Sequence, residues 1–465
     1  MLAALLISAA ALLADAEPAE NPFDRTIQLR PALADGANAP HPLALAVPTY
    51  DRVQGDATPI YSQAFLMLPR TYGDDLDESF ADQVNTALEQ EPGDLDRDLH
   101  RMIAKRYESS LDLASVASRR SQAGMHTTVR EFGVAALLPQ LNPAREVANA
   151  LRLRANLAAD EGRWDDWLSD VTTMIRLSQQ IADHDDAVLV EGLVAAAIGG
   201  LALDTIHKAD SVPDRPNLYW SLLAVDFDLD LLALLQAETL WIEASLPELA
   251  DPEAMTADRF VSLLARVNEL TEFAGDGAGP LARMASNTAT TAFMLAQARA
   301  WLLENTDFVE ADLDAMSPFE VIAHYLGESV DQAYAELFRI TLMPLPEAID
   351  AAEAFDERIQ DPSYGSLLVQ VLMPSVTRAR VSLVRLDRER DGLIVIEALR
   401  DHVARFDELP DTLDAVELPL PRDPGTGEPF GYERLGENEA VLRAEHVDGF
   451  RDRDSWTWKL EVAGE

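Results

Sequence analysis

From Ile60 onward, apolar positions recur every three or four residues. Tyr61, Phe65 and Leu68 open the series, and after a break at Pro92-Gly93 it resumes with Leu95, Leu99, Met102 and Ile103, then Leu111, Leu113 and Val116. That period lays one side of a helix on a core, whereas a half-buried strand alternates every second residue. Pro143 stands where a first-turn proline belongs, and Val147, Ala150, Leu151, Ala155 and Ala158 form the stripe of a helix ending near Gly162. A second helix begins at Trp164 and carries Trp167, Leu168, Val171, Met174, Ile175 and Ile181 on one side. The short step between them predicts an antiparallel hairpin. Further helices are predicted from Leu229 to Leu246, Thr256 to Phe273, Pro280 to Glu304, Pro318 to Thr341 and Glu347 to Ile359. Prolines punctuate them, because proline suits a first turn and disrupts an interior. Thr256-Ala257-Asp258 and Ser317-Pro318-Phe319-Glu320 read as helix starts, with a capping hydroxyl and acids in the first turn.

The run from Val188 to Ile206 is the most apolar of the interior. Glu191 and Asp204 bracket only Gly192 to Leu203 as uninterrupted apolar sequence, too short for the roughly 20 residues of a membrane span. It therefore predicts a buried core helix. Gly192, Ala196 and Gly200 fall on one face of it and predict close approach of a neighbouring helix. Beyond Pro374 a long helix is predicted from Val376 to Phe406, interrupted by the polar stretch Asp387 to Gly392, which is expected to bend the helix or face solvent. Past Leu409 the period changes. Phe430 to Leu435, Ala440 to Arg443 and Trp456 to Leu460 read as short strands, so a helix on a small antiparallel sheet is the simplest module for the tail.

Fold class follows as mainly α: an irregular multi-helix bundle with a small C-terminal α+β module. The hairpin around Gly162 invites comparison with tetratricopeptide repeats. Trp167 and Met174 stand where such a repeat needs small residues, and no second copy follows. Residues 1–16 are expected to be a signal peptide, with an apolar run from Leu2 to Leu13 and Ala14-Asp15-Ala16 before Glu17. Residues 17–58, rich in proline and alanine, are expected to be a tether or a strap along the surface. The helical domain is placed at 59–374 and the pilin-like module at 375–465. No transmembrane segment is expected in the mature chain, and localisation is expected to be periplasmic or secreted.

Charge narrows the partners. There are 37 Lys and Arg against 81 Asp and Glu, for a net charge of −44, and only Lys105, Lys208 and Lys459 are lysines. So acidic a surface repels phosphate backbones, so nucleic acid is not an expected partner. With no cysteine there is no disulfide, no thiolate metal site and no thiol nucleophile.

Catalytic signatures are equally sparse. The eight histidines, at 41, 100, 126, 184, 207, 324, 402 and 446, show no metal-binding spacing. His184-Asp185-Asp186 is the densest cluster and reads as a loop between helices. Asp226, Asp228 and Asp230 alternate like a calcium loop, but Leu231 and Ala237 occupy positions that require glycine and glutamate, so these acids are expected to cap the next helix. Trp220 and Trp241 are read as core anchors.

Pro139-Gln140-Leu141, the run from Ala150 to Ala155, Glu161-Gly162 and Asn217-Leu218-Tyr219-Trp220, in that order, resemble a family of exported planctomycete proteins of uncharacterised activity. Its members often finish with an Ala-Leu-Arg helix, a Leu-Pro step and an Asp-Pro-x-x-Gly-x-Pro-aromatic turn, matched here by Ala398-Leu399-Arg400, Leu409-Pro410 and Asp423 to Phe430. The tail is also similar to the soluble domain of major pseudopilins, whose later acidic loop holds calcium. The resemblance implies a tentative calcium site at Asp448, Asp452 and Asp454, three carboxylates toward the six to eight oxygens calcium takes. The long helix is internal and the N-terminal pilin signature is absent, so the resemblance implies a fold without its task.

These features point to an exported binding or scaffolding protein, with an unidentified protein partner in the cell envelope. A hydrolase with a site built from dispersed carboxylates, near His184, Glu191 or His324, is the alternative, and a component of a secretion or pilus-like apparatus is a third reading. A buried pocket in the helical body lined by converging acids or histidine and polar groups would count heavily against the non-enzymatic reading.

Overall fold

The computed structural model of the chain describes residues 24–69, 78–125, 133, 138–227, 229–273, 288–361, 364–366, 368–369, 373, 376–447 and 455–463. Of the described residues 62% are helical, and they form 14 helices and a small four-stranded sheet. In order these are β1 (Arg25–Leu29), β2 (Val53–Asp56), α1 (Thr58–Leu66), α2 (Glu78–Leu88), α3 (Arg97–Ser118) and β3 (Arg120–Gln122). Next come α4 (Leu141–Asp160), α5 (Trp164–Ile181), α6 (Leu189–Lys208), α7 (Tyr219–Leu223) and α8 (Leu231–Ser245). Then follow α9 (Ala257–Phe273), α10 (Thr288–Asn305), α11 (Glu310–Ala315), α12 (Pro318–Thr341), α13 (Leu345–Ile359), α14 (Val376–Phe406), β4 (Gly431–Arg434), β5 (Glu439–Ala444) and β6 (Trp456–Val462). The first 23 residues, which hold the expected signal peptide, lie outside the described residues.

Local chemistry sets many of the boundaries. Gly162, at φ 70°, turns α4 into α5, and the Arg163 amide donates back to the Ala158 carbonyl at 2.8 Å, closing the helix end. Asp230 caps α8 by accepting from the Leu232 amide at 2.9 Å, as expected of that acid. Ser317 and Glu320 cap α12 reciprocally, each bond at 3.2 Å.

Helix α6 runs through the middle of the body. By length and composition the segment Leu189–Ser211 could cross a membrane, but 72% of its most apolar window is buried inside the protein, as expected of a core helix. Its glycines divide into two kinds. A Cβ at Gly192 would lie 2.2 Å from a Leu234 methyl of α8, and one at Gly199 would lie 2.8 Å from the Phe227 ring, so both mark close approaches. A Cβ at Gly200 would meet nothing within 4 Å. The small-residue face is therefore closed by a neighbour at one end and open at the other.

The tail sheet has the order β1-β6-β5-β4, with β1 parallel to β6 and the other pairs antiparallel. The three strands expected from the tail sequence are present. The fourth comes from the Pro/Ala-rich N-terminal region, where Ile27 and Leu29 are buried in the module's core. From there the chain is strapped down as it crosses the body, with Ala34 donating to Asp401 at 2.8 Å and the Thr172 hydroxyl donating to the Ala44 carbonyl at 2.8 Å.

Helix α14 lies across this sheet without a break. Trp456 and Trp458 stack with ring centroids 3.7 Å apart, and a Cβ at Gly392 would lie 2.8 Å from both indoles. The polar stretch from Asp387 to Gly392 is not turned to solvent: Arg388, Glu389 and Asp391 are buried. Arg388 is accommodated because the Asp423 carboxylate of the Asp-Pro-Gly turn accepts from its Nε at 2.7 Å and its Nη2 at 2.6 Å. The turn is itself wound around that carboxylate, which also accepts from the Gly425 amide at 2.8 Å.

Candidate functional site

A second buried ionic cluster joins the body to the tail. Glu397 of α14 pairs with Arg215 and with Arg400, the latter at 2.7 Å, and accepts from the Leu218 amide at 2.9 Å. Arg215 also pairs with Asp210 at 2.5 Å, and Arg400 donates to the Arg30 carbonyl at 2.9 Å. Asn217 bridges the Ala32 and Glu397 carbonyls, both at 2.8 Å. Burial by itself would raise the Asp210 carboxyl; the Arg215 charge holds it below the ordinary range. Asn217-Leu218 and Leu399-Arg400 thus meet at one carboxylate. Every member of the cluster is engaged in tying three segments together, which is the work of a structural joint.

The solvent-reaching feature with the most chemistry is a cleft of about 540 Å³ at the C-terminal end of α5, closed by the loops before α6 and α8. Arg52, Ser121, Arg176 and Gln179 line one part, and Asp183, His184, Asp185, Asp226 and Asp230 line another. Arg176 is only 8% exposed. Its Nη1 donates to Gln179 at 2.6 Å and its Nε to the Ser118 carbonyl at 3.3 Å. Arg52 is held by the Val47 carbonyl at 3.0 Å. Neither arginine has a carboxylate within ion-pair distance among the described residues. Burial, and then the neighbouring Arg52 charge, push the Arg176 guanidinium below its ordinary value, while Asp183 draws it up from a distance.

Beneath the cleft two carboxylates sit at the start of α6. Glu191 accepts from the Val188 amide at 2.9 Å and from Gln140 at 3.0 Å, with His184 Nε2 3.5 Å away. Glu238 of α8 accepts from the Leu189 amide at 2.8 Å, and its carboxyl is pushed up to about 7 by burial and then by the Glu191 charge. The structure therefore brings together His184 and Glu191, two of the three residues considered for a catalytic site. His324 does not line the cleft; its ring packs on Phe308, centroids 5.1 Å apart. Trp241 is buried as expected, whereas Trp220 is 42% exposed.

Asp448, Asp452 and Asp454, between β5 and β6 in the sequence, lie outside the described residues, and so does Asp228, between α7 and α8. Among the described residues no group of three or more histidine or acidic side chains is placed to hold a metal ion. Sequence reasoning missed Arg52 and Arg176 because an arginine is conspicuous only when its acids are absent, and pairing across 124 positions is invisible in a linear pattern. No family model, no curated protein and no solved structure matches the chain.

Proposed function

We propose that the protein is an exported binding protein of the periplasm or cell envelope, whose helical body takes a small anion-bearing ligand between Arg52 and Arg176. One observation carries this reading. In a chain with 81 acids, two neighbouring guanidiniums lining one cleft have no carboxylate partner among the described residues, and one of them is buried. A buried charge is stable only when it is compensated, and a planar fork selects carboxylate or phosphate in a bidentate pairing. The apolar start of the chain, Leu2 to Leu13, supports export, and the helix-on-sheet tail supports the pilin-like reading of the C-terminal module and an envelope partner.

The test is a titration of the purified protein with phosphate, citrate and glucuronate, followed by thermal denaturation against chloride at equal ionic strength. A saturable stabilisation that disappears in Arg176→Gln is expected. Equal effects of all anions, unchanged in the variant, would overturn the reading.

Acids and a histidine also line the cleft, which is open to solvent and so is not the buried pocket that would weigh heavily against a non-enzymatic protein. His184 over Glu191 is the arrangement in which a carboxylate orients an imidazole for proton transfer, so acid-base hydrolysis in the same cleft is the second reading. Turnover of nitrophenyl glycosides, nitrophenyl esters or a peptide library, abolished in His184→Ala, would favour it over simple binding.

A further inference from the structure

The open end of the α6 face is a second site, independent of the arginine cleft. A groove of about 380 Å³ lies where α6, α14, α4 and β1 meet, within the range of roughly 300–1,000 Å³ usual for small-molecule sites. Its floor is apolar: Leu193, Ala197, Gly200 and Leu201 of α6 face Leu386 of α14. Nothing lies within 4 Å of where a Gly200 side chain would begin.

Arg25, Arg145, Asp204, Ser382, Arg385 and Glu389 give this groove its polarity, and Glu389 and Arg145 stand apart among them. Glu389 is 8% exposed, lines the groove, and makes no hydrogen bond or ion pair among the described residues. Burial raises its carboxyl above the ordinary range; the charges of Arg25 and Arg385 lower it and Asp204 raises it, all without touching it. Arg25 is already taken by Asp204 at 2.9 Å, and Asp204 is shared with Arg152 at 3.1 Å. Arg145 of α4 lines the same groove and makes no ion pair among the described residues. An unmatched acid, an unmatched base and an apolar floor therefore share one cavity. The Glu389 side chain is largely buried while its carboxylate reaches the groove and meets no protein donor among the described residues, which leaves it to a ligand's donor in competition with water.

We propose that this groove binds a zwitterion with an apolar side chain, namely a free apolar α-amino acid, with its ammonium on Glu389, its carboxylate on Arg145 and its side chain over Gly200. A purely anionic amphiphile would leave Glu389 uncompensated, and a simple alkylamine would leave Arg145 so.

The test is isothermal titration of the full chain with L-leucine, with 4-methylpentanoate, which lacks the amine, and with 3-methylbutylamine, which lacks the carboxylate. Leucine is expected to bind at least about tenfold more tightly than either analogue, the loss of one charged hydrogen bond. Glu389→Gln should lose that preference over 4-methylpentanoate, and Gly200→Leu should abolish binding by filling the groove. Circular dichroism and thermal melts check that both variants are folded. Gly200→Ala, which meets no neighbour, is a milder filling variant that should weaken leucine without unfolding the chain. Absence of leucine binding to the folded wild-type chain, or equal binding of leucine and 4-methylpentanoate that Glu389→Gln leaves unchanged, would overturn the proposal.

Discussion

Glu238 keeps a proton in the folded chain that the unfolded chain gives up. Its carboxyl is pushed up to about 7 by burial and the Glu191 charge, against about 4.3 for a free glutamate. Between those values the folded state binds more protons, so stability falls as pH rises through the window and levels off above it. This group should therefore lower wild-type stability by about 3 kcal/mol between pH 4.5 and pH 7. Glu238→Gln should flatten that slope in urea unfolding; an unchanged slope would show that the carboxyl is ionised throughout. Asp210 and Asp204 act with the opposite sign, because Arg215, Arg25 and Arg152 hold them below the ordinary range. Their stabilisation is present above about pH 4 and is lost as pH falls through their folded values. Glu397 is the residue whose loss should be felt most. Glu397→Ala leaves Arg400 without its carboxylate and takes one of two from Arg215, both buried, and should destabilise the fold by about 3–5 kcal/mol.

At the scale of elements, α14 and the tail sheet show how far a periodic pattern reaches. Helix and strands were legible from their spacing, and so was the turn at Asp423. The polar stretch inside the helix was expected to bend it or face solvent, because hydrophobic periodicity treats any charge as exposed. Arg388 escapes that rule through Asp423, 35 residues further on, and the Glu445 carbonyl, and the parallel strand from Arg25 to Leu29 was hidden by the prolines on either side of it. Gly392 offers a sharp test of the packing. Gly392→Val would drive methyl groups into two stacked indoles already 2.8 Å from the Cβ position. Overpacking of this kind costs about 1–3 kcal/mol. Unfolding midpoints should drop accordingly and tryptophan fluorescence should change, while Gly200→Ala, in open space, should leave both nearly untouched.

The whole molecule is joined through α14. Leu386, Leu393, Ile394 and Ala398 belong to the core of the body, while Val395, Ile396, Leu399 and Val403 belong to the core of the tail. With Glu397 and Arg400 tying the same helix to the N-terminal strap, the two cores should unfold together. Calorimetry is expected to give one transition; two separable ones would show that the joint is weaker than its geometry. The net charge of −44 should make that transition salt-dependent, because self-repulsion of a uniformly acidic surface is screened within about 8–10 Å at moderate ionic strength. The melting temperature should rise from low salt to about 0.5 M sodium chloride and then level off.

By itself the sequence determined the helical body, the capped starts of α8 and α12, the turn at Gly162, the core position of α6 and the three strands of the tail. Each depends on neighbours a few residues apart, where periodicity, proline geometry and capping chemistry act. Tertiary structure decided what those elements leave unpaired. Arg52 came to lie beside Arg176 without an acid, Glu389 came to line an open groove, and His184 came to rest over Glu191. Such juxtapositions depend on which distant residue fills, or fails to fill, the space beside a charge, and no local period encodes that.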